Sequence, residues 1–139
     1  MAHTDLDALL NALLPFARQM LAKYGEFHPF GASMNHKGEV SITAAHTDQE
    51  HPASNELIEL LEAGLRQAAE KGEIRAAGIC LNARVSPPGE TKTVDAVHAR
   101  LEHKSGQAAN VFLPYRRGFL GSMKYGKLFA AKGTPLIFV

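Results

Sequence analysis

The side chains whose types and spacing best suit chemistry stand at alternate positions near the middle of the chain. His98, Arg100 and Glu102 are separated by one residue each. Successive side chains of a β-strand point to opposite faces, so this spacing places all three on one face. A histidine titrates near neutral pH, and a neighbouring carboxylate raises its pKa. The group could therefore serve in general acid–base catalysis or in binding an anion.

Further cations extend this candidate site to both sides. In the preceding predicted strand, Asn82 and Arg84 alternate with apolar residues, and we expect them to share the polar face with His98. A glycine-rich basic segment begins after Tyr115. The candidate ligand-binding or anion-binding residues are Arg84, His98, Arg100, Glu102, Arg116 and Arg117. The pattern favours a simpler interpretation, in which these residues solvate the outer face of a sheet or pair across its strands.

Motifs of known catalytic and cofactor sites do not occur in the sequence. It contains no G-x-S-x-G elbow, no phosphate-binding G-x-x-x-x-G-K-[ST], no G-x-G-x-x-G, no H-E-x-x-H and no C-x-x-C. The single cysteine, Cys80, lies in an apolar run, so we expect a buried and unreactive thiol and a reducing compartment. The sequence therefore predicts no catalytic residue and no cofactor.

Histidine is abundant, with seven residues in the chain. The densest local group of nitrogen and oxygen ligands is His46, Asp48, Glu50 and His51, in one polar loop. Its spacing matches no compact metal site, and a structural zinc site would need four well-placed ligands. The sequence therefore predicts no metal.

Hydrophobic periodicity predicts the elements that position these residues. Apolar residues recur at helical spacing over residues 5–24, where Pro15 predicts a kink or a division, and again over residues 55–71. Residues 27–34 and 39–44 flank the polar turn 35–38 and predict a hairpin. Alternating apolar residues over 73–115, broken at 87–89 and 104–106, predict a three-strand meander.

These elements predict one α+β domain over residues 1–139. Its fold is a five-stranded antiparallel sheet, made of the hairpin and the meander, with two main helices. The element order is α-β-β-α-β-β-β, followed by an irregular tail with a short helix near residues 124–131. We expect the apolar terminus, residues 136–139, to be tied into the sheet or an interface. Over residues 5–115 this order resembles the profilin-like layout of roadblock-type domains, which are small sensory or scaffolding domains.

Charge is distributed unevenly along the chain. Residues 1–102 contain all 14 acidic residues and 9 Lys or Arg, whereas residues 103–139 contain 6 Lys or Arg and no acid. The basic segment either docks on the acidic body or forms an exposed patch for an anionic partner. Its aromatic residues also suit single-stranded nucleic acid, but the overall pI of about 7.9 lies below that of a dedicated nucleic-acid binder.

Two functional hypotheses from different classes follow, with nucleic-acid binding as a third. The first is a small bacterial interaction or regulatory domain that is homodimeric and non-enzymatic. The second is a small-molecule-binding or catalytic protein with its site between the polar sheet face and the basic tail. The start of the chain has acidic residues instead of a secretory n-region, and no apolar run approaches the roughly 18 to 20 residues that cross a bilayer. We therefore expect a cytoplasmic protein without a membrane partner.

Overall fold

The computed structural model describes residues 2–45 and 53–139, in which two helices flank an antiparallel sheet. The helices are α1 (Ala2–Tyr24) and α2 (Ser54–Glu70). The strands are β1 (Phe30–Met34), β2 (Val40–Ala44), β3 (Ala76–Val85), β4 (Val94–His103), β5 (Ala108–Arg117), β6 (Met123–Tyr125) and β7 (Phe129–Lys132). The sheet order is β2-β1-β3-β4-β5-β6, and β7 also pairs with β5. The predicted α+β class, two helices and antiparallel sheet are confirmed, but the count of five strands is wrong because the described residues form seven.

The additional strands come from the segment that was expected to be an irregular tail. β6 and β7 both pair with β5, so residues 124–131 contain strands where a short helix was expected. The partners Tyr115↔Tyr125 and Phe112↔Phe129 lie three residues apart on β5 but four apart on the tail, which is a one-residue bulge. Pro114 lies opposite this bulge, and its carbonyl accepts from the Gly126 N–H. A proline is tolerated there because no ladder donor is required of it.

Helix α1 covers one face of the sheet with a continuous apolar stripe. Its buried side chains follow the spacing of three and four residues expected of an amphipathic helix; they are Leu6, Leu9, Leu13, Ala17 and Leu21. Pro15 lies inside this single helix, so the predicted division there is not seen. Gly25, with a φ of 75°, ends the helix and donates its N–H to the Leu21 carbonyl.

Helix α2 covers the opposite face, so the sheet lies between two apolar cores. Leu61 and Leu65 of α2 pack with Ile79 of β3 and with Ile137 near the C-terminus. Strand β3 is buried on both faces from Ala76 to Cys80, whereas its second half is half-buried or exposed. The polar face expected of a one-sided sheet is therefore confined to the regions that neither helix covers.

Candidate functional site

The predicted polar face is divided between the two sides of the sheet. The β3–β4 register places Leu81 opposite His98 and Arg84 opposite Asp95. Cross-strand partners share a face, so Arg84 lies on the α1 side while His98 lies on the α2 side. The prediction that Asn82 and Arg84 share a face with His98 is therefore wrong. Alternation along each strand was predicted correctly, but the register between the strands was not.

The two arginines at the end of β5 also point to opposite sides. Arg116 is exposed and has the same parity as Asn110, the partner of Arg100, so it lies on the α2 side. Arg116 lies six positions from Asn110 along β5, which corresponds to a distance of about 20 Å. Arg117 lies on the α1 side and donates to the Gly25 carbonyl at 3.2 Å. The six candidate residues therefore do not converge on one site.

Arg100 is engaged inside the fold. Its Nη2 lies 3.3 Å from the Glu62 carboxylate of α2, and both side chains are largely buried. This ion pair ties α2 to the central strand β4. The Glu62 carboxylate offsets the positive charge of Arg100, whereas the acid–base hypothesis needs this cation to be free.

Glu102 holds the C-terminal segment. Its side chain is 3% exposed, and its Oε1 accepts the backbone N–H groups of Leu136, Ile137 and Phe138 at 2.9, 2.8 and 3.2 Å. From α2, Arg66 donates twice to the Leu136 carbonyl, at 3.1 and 2.8 Å. The expected anchoring of the terminus to the fold is confirmed, and Glu102 forms the polar part of that anchor.

His98 lies in an aromatic stack on the α2 side. Its ring stacks on Phe112 at 4.4 Å between centroids, and Phe112 stacks on Phe129 at 5.1 Å. Its Nε2 lies 2.9 Å from the amide oxygen of Asn110. Burial lowers the pKa of His98, the Arg100 charge lowers it further, and the bond to Asn110 opposes both. A neutral histidine stacked in this way is a packing element of the sheet.

A polar group that the sequence did not predict lies at the far end of the α1 side. Arg84 approaches the Asp95 carboxylate at 3.4 Å and the Thr93 hydroxyl at 3.2 Å. The Tyr115 hydroxyl donates to the amide oxygen of Asn82. Burial raises the pKa of Tyr115, and the Asp95 charge raises it further. The signal in the sequence was that Asp95 has the same parity as Val97 and Ala99 and therefore shares their face.

A second unpredicted group joins residues that are up to 98 positions apart. Asp5 in the first turn of α1 accepts from Arg75 Nη2 at 3.0 Å and from His103 Nε2 at 2.9 Å. The Ser105 N–H donates to Nδ1 of the same imidazole, so Nε2 carries the hydrogen and donates it in the hydrogen bond to Asp5. Both ring nitrogens are therefore occupied, and the group clamps the start of α1 to β4. No local spacing in the sequence indicates it.

This clamp predicts a dependence of stability on pH. Burial alone would raise the pKa of Asp5, but hydrogen bonds from His103 and Arg75, together with the Arg75 charge, outweigh it and leave the pKa below its usual 3.8. A depressed folded-state pKa stabilises the fold above the unfolded value, and this contribution is lost as the pH falls through the folded value. We expect Asp5→Asn to be less stable than wild type at neutral pH, with a gap that narrows below about pH 4.

Urea unfolding of both proteins from neutral to acidic pH measures this gap. The exposed Asp7 of the same helix supplies the matched control. Asp7→Asn should track wild type at every pH, since isolated surface substitutions change stability little. A constant gap between Asp5→Asn and wild type down to acidic pH would contradict the assignment.

Other predictions about reactive groups and ligands have different outcomes. Cys80 is buried, and burial raises the pKa of its thiol to about 12, as expected for an unreactive cysteine. The loop with His46, Asp48, Glu50 and His51 lies outside the described residues. Within residues 2–45 and 53–139, no group of three or more His, Cys, Asp or Glu could hold a metal ion. In the same residues, no helix has the length and apolar character needed to span a bilayer.

The turn between β5 and β6 carries two highly exposed apolar side chains, and exposed charged residues flank them. Phe119 is 85% exposed and Leu120 is 89% exposed, and we call these two residues the hairpin tip. Leu120 has a φ of 62°, which is strained for a residue with a branched side chain. The Gly118 N–H donates to the Ser122 carbonyl and the Gly121 N–H donates to the Gly118 carbonyl, and these two hydrogen bonds close the turn. The backbone thus holds both apolar side chains away from the core in spite of strain.

A groove of about 1070 Å³ adjoins the hairpin tip. It runs between α1 and the start of β6, and we call it the α1 groove. Its lining residues are Asn11, Ala12, Leu14, Pro15, Phe16, Arg18, Gln19, Ala22, Gly121, Ser122, Met123 and Tyr125. Arg18 lies over the Tyr125 ring at 4.4 Å. Among the described residues that line the groove, it is the only charged one, and it is a cation. The tip and the groove together form a continuous surface at one end of the molecule.

Comparisons of the chain with protein-family models, with curated proteins and with solved structures gave no match.

Proposed function

We propose that this chain is a non-enzymatic interaction domain that binds a partner through the hairpin tip and the adjoining α1 groove. The observation that carries the proposal is the exposure of Phe119 and Leu120 on a strained turn. Exposed apolar residues beside a groove are typical of interaction sites. Backbone strain of about 1 to 3 kcal/mol persists where the surrounding structure imposes it, and such strain is concentrated at functional sites.

The contacts of the acid–base candidates support a non-catalytic function. Arg100 is paired with Glu62, and Glu102 is hydrogen-bonded to three backbone groups. His98 stacks on Phe112, and its Nε2 is hydrogen-bonded to the Asn110 amide oxygen. A general acid or base must reach the proton that it transfers. These side chains face other parts of the protein, which favours the interaction hypothesis over the catalytic one.

The aromatic residues of the basic segment give little support to nucleic-acid binding. Tyr125 lies beneath Arg18, and Phe129 stacks on Phe112 on the other face of the sheet. A single-stranded nucleic acid needs a row of free rings on one surface. Phe119 is the ring in this segment that is almost fully exposed.

The predicted homodimer remains a prediction. A symmetric contact through the tip would bring Arg116, Arg117 and Lys124 of two copies together, and like charges repel. The apolar terminus, which was expected to join the sheet or an interface, has Ile137 buried within its own chain. Self-association would thus need another surface. A sedimentation measurement that shows a monomer throughout the micromolar range would contradict the predicted homodimer.

Photo-crosslinking in cells of the source organism tests the interaction proposal. A benzophenone amino acid at position 119 should give an adduct that the same group at Leu60 does not give. Leu60 is a matched control because it is also apolar and exposed, at 44%, but lies on α2. Mass spectrometry then assigns the adduct to protein, to lipid or to a second copy of the chain. Equal or no adduct formation at the two positions would overturn the proposal.

A further inference from the structure

We infer that the partner of the hairpin tip is an anionic lipid surface, into which Phe119 and Leu120 insert while the flanking cations contact the headgroups. This inference rests on the proposed interaction through the tip and names the class of partner. It departs from the expectation, drawn from the sequence, that the chain has no membrane partner.

The shape of the tip is the first observation. Phe119 and Leu120 project from the end of a two-stranded ribbon, and both side chains are more than four-fifths exposed. A projecting pair of large apolar side chains suits insertion into a fluid layer, because the layer needs no preformed pocket. Amphipathic membrane-surface segments bury their apolar residues about 5 to 10 Å into the boundary between headgroups and acyl chains. Two side chains at a turn can reach that depth.

The position of the cations is the second observation. Arg116, Arg117 and Lys124 are exposed and lie two to four residues from the nearer residue of the tip along β5 and β6. At about 3.3 Å per residue they stand about 10 Å behind it, which is headgroup depth when the tip is inserted. Lys127 is also exposed, in the segment between β6 and β7. Basic residues beside an apolar insertion supply the second signal that stable membrane attachment requires.

The balance of charge at this end favours an anionic partner. Glu90 lines the same hollow as Arg116 and Lys124, so one carboxylate offsets part of the positive charge. From residue 103 onward the chain contains six Lys or Arg and no acid. The α1 groove adds Arg18 and no acid. An anionic surface is therefore attracted, whereas a second copy of this tip is repelled.

A single-tryptophan variant tests the inference directly. The chain contains no Trp, so Phe119→Trp introduces one fluorescent reporter at the tip. We expect its emission to shift to shorter wavelength with vesicles of equal parts phosphatidylglycerol and phosphatidylcholine. Little shift is expected with phosphatidylcholine alone or in high salt, which screens the charges. Leu60→Trp on α2 is the matched control and should show no shift.

Substitutions separate the two contributions to binding. Co-sedimentation with vesicles measures the binding of the chain without the Trp reporter. Its affinity for anionic vesicles should fall at least about tenfold when Phe119→Ser and Leu120→Ser are combined, since two large apolar side chains are no longer buried. Arg116→Gln, Lys124→Gln and Lys127→Gln together should reduce binding by a similar factor and remove most of its salt dependence. Circular dichroism must show an unchanged fold for both variants.

The outcomes distinguish this inference from the function on which it rests. No shift of the position-119 reporter with anionic vesicles, together with a protein adduct at position 119 in cells, overturns the lipid inference and keeps the interaction domain. A shift that depends on protein concentration without vesicles identifies a second copy of the chain as the partner and also overturns it. Failure of both the vesicle shift and the adduct overturns both proposals.

Discussion

Replacement of Glu102 by alanine is expected to destabilise the fold by about 3 kcal/mol or more, because it leaves three buried or half-buried backbone donors without an acceptor. The donors are the N–H groups of residues 136–138, all within 3.2 Å of one carboxylate oxygen. An unsatisfied buried group costs about 1 to 3 kcal/mol, and hydrogen bonds to a charged acceptor are stronger than neutral ones. Urea unfolding at neutral pH measures the loss.

Glu102→Gln isolates the contribution of the charge. The glutamine amide oxygen can still accept hydrogen bonds, so we expect a loss of roughly half that of the alanine variant. Ile137→Ala removes the apolar part of the same anchor and should cost about 2 to 4 kcal/mol. The effects of Glu102→Ala and Ile137→Ala should be less than additive, since both release the same segment. Additive effects would show that the carboxylate and Ile137 act independently.

The example of Glu102 shows how far the sequence alone could predict the molecule. Alternation in β4 correctly placed His98, Arg100 and Glu102 on one face, and the apolar terminus correctly predicted that the end is held by the fold. Nothing in the sequence indicated that one residue does the holding, because the contact joins positions 34 to 36 residues apart. Glu102 was predicted to bind a ligand because it is polar, whereas in the structure its carboxylate accepts hydrogen bonds from backbone N–H groups.

Strand register explains the main error in the candidate site. A shift of pairing by one residue moves a whole set of side chains to the other face. The loop between β3 and β4 sets the register that places Leu81, and not Asn82, opposite His98. The turn residues of this loop predicted a hairpin but did not determine which residues of β3 and β4 pair. The buried run from Ala76 to Cys80 was the available sign that helices cover both faces, since buried strands lose strict alternation.

The basic segment shows a different limit. Its glycines and scattered aromatics have no strong period, and an irregular tail was the natural prediction. Pairing with the open edge of β5 supplies the order that local propensity lacks, and the bulge between β6 and β7 absorbs the mismatch. The exposure of Phe119 and Leu120 follows from that pairing, because it places them at a turn. The exposed hairpin tip was therefore out of reach of any argument from composition.

Two glycines provide the second large predicted effect, with opposite signs. Gly78 of β3 lies directly beneath α1, and a Cβ built there would stand 2.8 Å from Cδ1 of Leu13 and 3.2 Å from the carbonyl oxygen of Arg100. A backbone oxygen cannot move away cheaply, and Leu13 is fully buried. Gly64 in α2 has no atom within 4 Å of its would-be Cβ outside its own helix backbone. The two positions therefore differ in the space available to a methyl group.

Gly78→Ala should destabilise the protein by about 1 to 3 kcal/mol through overpacking, and Gly78→Val by more. Gly64→Ala should stabilise it by about 0.5 to 1 kcal/mol, since alanine loses less backbone entropy than glycine in a helix. Chemical unfolding of the three variants beside wild type measures both signs. Leu13→Ala combined with Gly78→Ala removes the clashing methyl, so the double variant should lose less than the sum of the single losses. A neutral Gly78→Ala would mean that α1 can move away from the sheet, and the close helix–sheet contact would not be a constraint on the fold.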